Sequence, residues 1–404
     1  MPLEGYRVLD LSIAQVGPYA ATMLAQMGAD VIKIEDHTTG GDNIRGIMAR
    51  EGIGAPPVNY IFEANNRNKR SVGVNLKTRQ GRDVIYRLVK NSHIFLHNLR
   101  QSGVERLGVD YETLHKHNPL IIYASGSSFG KRGPDRDATG YDIISQARGG
   151  IMSVNGPPDR PPMPVGGGYI PVGDQAAAML LAYGVALAII ARERTGKGQE
   201  VHVSMLSGLL ALQNWRFEGY LATGEIPQRV HGFQSPNPLY DIYQAQDGEW
   251  IALSMTQSDV FWSRFCKVLN IESLEFDSRF NSHQNRIENR DSLVPLIQKV
   301  FSIRSRAEWT KLFMEHDLQF APVNNYADLA VDPQVIENNY VVQLDHPIAG
   351  PVNVLSVPVE LSETPGTVGK AAPELGQHTE EVLTELGGYT QQEIVELMGL
   401  GVVG

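Results

Sequence analysis

The chain has 404 residues, 42% hydrophobic and 20% charged, an ordinary globular composition and longer than a single core usually extends, so two domains are expected. Its formal net charge of −10 speaks against a nucleic-acid partner, which needs a basic surface, while leaving room for a local cationic pocket around a small anion. The single cysteine, Cys266, excludes an internal disulfide and fits a reducing, cytoplasmic setting; in VFWSRFCKVLN it reads as a small buried hydrophobe.

The opening MPLEGYRVLDLS has no basic stretch leading into an apolar one, so no signal peptide is expected. RVLDL reads as a strand, PYAATMLAQMG as a helix ended by Gly28, and DVIKIE as the next strand. A helix over 79–90, a strand HIFLHN, a helical patch over 111–117 and a strand LIIYAS follow. This alternation predicts βαβ units and a largely parallel sheet. The apolar run 176–191 is shorter than the ~20 residues a bilayer span needs, and is read as a buried helix with no membrane partner. Beyond it, TGKGQ lacks the upstream glycine and Lys-Ser/Thr pair of a phosphate loop and reads as a helix stop.

After residue 221 the composition turns to glycine, proline and polar residues. Two alternating strands then flank Asp247-Gly248, a hairpin signal. Ser305 with Glu308, and Thr390 with Glu393, have the spacing of capping boxes. The expected division is 1–224 for a large α/β domain, 225–325 for a smaller α+β domain, and 326–404 as a return to the first.

The turn SIAQVGPYA lacks the G-x-G-x-x-G of a dinucleotide site, the serines of SGSSFG read as part of a loop, and the eleven histidines show no ligand spacing, so no metal is expected. Asp174 then stands out, between Gly166, Gly167 and Gly168 and a long apolar segment. Two compatible readings fit it: an ordinary helix N-cap, the commoner role for such an acid, or a carboxylate kept ionised by the helix N-terminus and able to attack an activated acyl group.

Nine stretches occur in order: VLDLSIAQVGPYAATMLAQMGADVIKIE, NRNKRSVGVNLK, HNLRQSGVERLG, PLIIYASGSSFGKRGP, GYDIISQARGG, VGDQAAAM, RTGKGQEVHVSML, APVNNYADLAVDPQV and PELGQHTEEVL. Together they resemble the class III CoA-transferases, which include formyl-CoA transferase, carnitine CoA-transferase and α-methylacyl-CoA racemase. The resemblance implies a large Rossmann-like parallel-sheet domain, an inserted smaller domain and an interlocked dimer. A homodimer is the expectation and a heteromer the alternative, with the site between the large domain of one subunit and the small domain of its partner.

By the same resemblance Asp174 is the catalytic nucleophile, passing through acyl anhydrides and an aspartyl-CoA thioester. The substrates are an acyl-CoA thioester and a carboxylate acceptor, and no other cofactor is implied. Gln15, Val16, Val74, Asn75, Lys77, Asn98, Leu99, Arg100 and Arg106 match CoA-contact positions, and Thr139, Tyr141 and Asp142 match a stretch lining the active site. Asp36 departs from formyl-CoA transferase, which has an arginine there; Lys33, Arg45 or Arg70 are the stand-ins for its phosphate contact. The glycine-rich loop over the oxalate enzyme's site is also missing, which speaks against formate and oxalate, and the loop 231–240 and Met152 are expected to shape the acyl pocket. A racemase or isomerase is the rival chemistry, though Tyr141 stands where the racemase has its histidine and is a poor base at neutral pH. A CoA-binding subunit without turnover is a further alternative.

Overall fold

The computed structural model describes residues 1–47, 58–168, 170–230 and 235–404. It forms two compact units: 1–155 with 162–227 and 337–404, and 156–161 with 228–336.

The first unit carries a six-stranded sheet of β1 (Arg7–Leu11), β2 (Asp30–Glu35), β3 (Lys69–Gly73), β4 (Ile94–His97), β5 (Ile122–Ser127) and β6 (Glu200–Ser204). All neighbours pair parallel in the order β3-β2-β1-β4-β5-β6. Parallel strands are covered on both faces, which is why β1, β2 and β4 are almost wholly buried. One face packs Leu9, Ile32, Val72 and Phe95 against helix α2 (Arg79–Lys90) and the C-terminal residues Val382, Leu383 and Ile394. The other packs Val8, Val31, Leu96 and Ile122 against α1 (Val16–Gln26) and Leu181, Val185 and Ile189 of a long later helix. Strand β3 lacks an alternating apolar signal, whereas β6 carries Val201 and Val203 in alternation. In β3 the reason is visible: Lys69 is fully buried and ion-paired at 2.8 Å to the equally buried Asp10 of β1.

Between these elements run α3 (Gln101–Leu107), α4 (Asp142–Arg148) and α5 (Val172–Thr195), followed by α6 (Met205–Leu212) and α7 (Asn214–Thr223). The TGKGQ stop holds, with Gly196 left-handed at φ 67° as the cap of α5. The apolar run belongs to a helix of 24 residues, about 36 Å at ~1.5 Å per residue, so the expectation that it is too short for a bilayer fails. Length and composition alone would let α5 cross a membrane, while its Ala177, Ala178, Leu181 and Val185 are buried in the core. The C-terminus straps the edge of the sheet: Val403 bridges Val74, and Gly404 N–H donates to the Gly73 carbonyl.

In the second unit β7 (Ile242–Gln244) and β8 (Trp250–Leu253) form the hairpin, and β9 (Phe320–Pro322) joins β8 antiparallel. Their core holds Trp262, Phe265, Cys266, Phe301, Trp309 and Phe313, and burial pushes the Cys266 thiol up to about 12. The expected capping boxes are present at Ser305/Glu308 and Thr390/Glu393. This unit continues past 325 because Arg306 bonds the Val323 carbonyl at 2.6 Å and Asp328 at 3.0 Å.

Candidate active site

The order 3-2-1-4-5-6 places a switch point between β1 and β4, where the carboxyl ends of an open α/β sheet leave a crevice. The turn leaving β1 is held there from several sides. Asn98, just past β4, accepts from Ile13 N–H at 2.9 Å and donates to its carbonyl at 2.6 Å. Ala14, left-handed at φ 63°, donates its N–H to Asp42 at 3.1 Å. Lys33 donates to the Ser12 carbonyl and to Asp42, both at 2.9 Å, and the Lys33 and Asp42 side chains are fully buried. Burial works against the Lys33 charge, yet Asp42, Asp10 and Glu35 hold its pKa above the ordinary lysine value. Asn65 steadies the Gln15 amide at 2.6 Å. No side chain caps α1, so its first-turn N–H groups at Val16 and Gly17 stay available to a ligand oxygen.

Asp174 enters the same crevice from the first turn of α5. It is not the N-cap: that position is Pro171, and no described group donates a hydrogen bond to the Asp174 carboxylate. The capping role belongs instead to Asp142, which accepts from Gly173 N–H at 2.7 Å and Asp174 N–H at 3.2 Å. Gln146 donates to the other Asp142 oxygen at 2.5 Å and accepts from Val165 N–H at 2.9 Å, tying in the glycine segment. Gly166, Gly167 and Gly168 follow with φ of 63°, 64° and 88°, a left-handed run that side chains would strain. Burial, then the neighbouring Asp142 charge, raises the Asp174 pKa to about 7. The ionising pull expected of the helix N-terminus is thus opposed by burial and by the Asp142 charge, both of which favour the protonated form.

A cavity of about 290 Å³ gathers Gln15, Val16, Asn98, Leu99, Arg100, Thr139, Tyr141 and Asp174. Arg100 donates to Thr139 across its rim. A second cleft, about 300 Å³, lies at the carboxyl ends of β1 to β3 and takes in Val74, Lys77 and Leu99. Asp142 lines neither but positions α5, and Asn75 braces the turn by accepting from Lys77 N–H at 3.1 Å. Arg106 is exposed on α3 and lines neither cavity. The three stand-ins for a phosphate contact are committed elsewhere: Lys33 to Asp42, Arg45 to Glu35, and Arg70 to Asp30, Glu381 and Glu385. Met152 does not line the cavity, and residues 231–234 of the loop expected to shape the acyl pocket lie outside the described residues. Sequence reading missed Asp42, Gln146 and the role of Lys33. Their only signal is polarity at positions that the topology later buries.

The chain matches the CoA-transferase family III profile over residues 3–379. It is 32% identical to succinyl-CoA–D-citramalate CoA-transferase of Chloroflexus aurantiacus, across 100% of this chain and 98% of that one. It is 34% identical to succinyl-CoA:mesaconate CoA-transferase of Haloarcula marismortui, across 98% of each. Among solved structures, a CAIB/BAIF family protein from Brucella suis superposes with a TM-score of 0.85 at 29% identity, covering 96% of this chain and 99% of that one.

Proposed function

The chain belongs to CoA-transferase family III, and from that premise we propose that it moves CoA from an acyl-CoA donor to a carboxylate acceptor through covalent intermediates on Asp174. The observation that carries this reading is the Asp174 carboxylate itself, facing a cavity at the switch point with no described hydrogen-bond donor of its own. A carboxylate left unbound and desolvated is a stronger nucleophile than one held by a cap.

An Asp174 oxygen attacks the donor thioester carbonyl; the C–S bond breaks, and a mixed anhydride and CoA thiolate form. The thiolate attacks the aspartyl carbonyl carbon, releasing the donor carboxylate and leaving an aspartyl-CoA thioester. The acceptor carboxylate attacks that thioester, giving a second anhydride and thiolate. Attack of the thiolate on the acceptor acyl carbon then forms the new acyl-CoA and restores Asp174. The uncapped N–H groups at the start of α1 supply donors for oxygen charge that develops along this path. Relatives named for moving CoA from succinyl-CoA to citramalate or mesaconate, both dicarboxylates, support a dicarboxylate acyl group here. Tyr141, a poor base at neutral pH, lines this cavity beside Asp174, which favours transfer over racemisation.

Asp174→Asn tests the reading. Acyl exchange, followed by liquid chromatography, is expected to fall by at least ~10³-fold while CoA still binds. Mass spectrometry after acyl-CoA and hydroxylamine should find a hydroxamate at Asp174 in the wild type alone. Wild-type protein that turns over without any label at this residue would sink the covalent route.

A further inference from the structure

The cleft at the ends of β1 to β3 is lined by the apolar side chains of Ile34, Val74, Leu76, Leu99 and Leu107, a surface on which a purine ring can pack. Its polar rim is Asp36, the residue directly after β2, and Lys77, whose ammonium sits 3.0 Å from the Asp36 carboxylate. Among the described residues lining the cleft, Lys77 is the one cation. The acids behind the rim are already bonded: Glu35 accepts from Arg45 and Ser71, and Asp42 from Lys33 and two backbone N–H groups. Asp36 is held in place by the Thr38 N–H at 3.1 Å and hydroxyl at 2.6 Å, and its second oxygen accepts from Lys77 at 3.0 Å.

In doubly wound nucleotide-binding folds, an acid at the end of the second strand accepts from ribose hydroxyls, whereas a cation there accommodates a ribose phosphate. This rim holds one of each, in contact, so it presents no net charge to a dianion. Resting on the CoA-transferase reading, we propose that Asp36 makes the enzyme nearly indifferent to the 3′-phosphate of CoA. The ribose docks through a hydroxyl on Asp36, and Lys77, neutralised by that acid, has little attraction left for the phosphate. Asp36 is thus a specificity-determining residue for the nucleotide half of the substrate.

The test compares kcat/KM for an acyl-CoA and the matched acyl-3′-dephospho-CoA in wild type, Asp36→Asn and Asp36→Asn/Lys77→Gln. Wild type should treat the two within about threefold. Asp36→Asn should shift the ratio about tenfold toward the phosphorylated thioester, and the double variant should lose that gain. A ratio that Asp36→Asn leaves unchanged, or a wild-type preference above about tenfold for the phosphate, overturns the proposal. Calorimetric binding of adenosine 3′,5′-bisphosphate against adenosine 5′-monophosphate should show the same shift without any turnover. If no thioester is turned over, the transferase reading fails, and the nucleotide affinities still decide this one: no shift between wild type and Asp36→Asn overturns it.

Discussion

At the scale of single residues, one carboxylate sets the pH behaviour of the proposed chemistry. Asp174 attacks only when ionised, and its pKa stands at about 7, raised first by burial and then by Asp142. The rate of enzyme acylation should therefore climb with pH, one proton at a time below about 7, and level off above it. Asp142→Asn keeps an oxygen for the Gly173 and Asp174 N–H groups but removes the charge. Its profile should move toward acid, though not as far as an ordinary carboxylate, because burial persists. Single-turnover release of CoA across pH 5 to 9 measures this; coincident profiles for the two proteins would refute the charge coupling. The pattern of a lone acid before an apolar run was readable from sequence. That its cap comes from a residue 32 positions earlier was not, because the contact exists only once α4 packs beside the start of α5.

Among the secondary-structure elements, the turn leaving β1 depends on partners scattered through the chain. Asp42 reads in sequence as part of a glycine-rich turn, yet in the fold it is buried between Lys33 and two backbone N–H groups. Asp42→Ala strands the Lys33 ammonium in the core and should cost about 3–5 kcal/mol. Urea unfolding would show it as a lower midpoint with an unaltered slope, and a loss below ~1 kcal/mol would mean the pair braces nothing. Strands β1, β2 and β4 were legible from their Val, Ile, Leu and Phe residues in spite of Asp10 and Lys33, whereas β3 was not, because tertiary ion pairing lets Lys69 and Arg70 stand where Val or Ile is usual.

At the scale of the whole molecule, exposed apolar surface bears on assembly. One face of α5 exposes Met179, Tyr183, Leu187 and Ile190, spaced at helical intervals, and α7 adds Trp215, which is 86% exposed. In the homodimer that the family resemblance implies, we propose that this apolar stripe is covered by a second copy. Light scattering behind size exclusion should give twice the 44.5 kDa of the chain, and Tyr183→Glu/Leu187→Glu should shift the population toward single chains. A wild-type mass of one chain would contradict it.

Apolar periodicity and turn residues, which act over a few neighbours, were enough to determine the α/β class, the hairpin and the two capping boxes from sequence. Nine ordered stretches carried the family. The tertiary structure alone decided that Asp142 caps α5, that Asp174 is left unbound and hard to ionise, and that Lys33, Arg45 and Arg70 are unavailable to a phosphate. Desolvation and charge pairing depend on which distant groups are brought within a few ångströms, and local sequence holds no record of that.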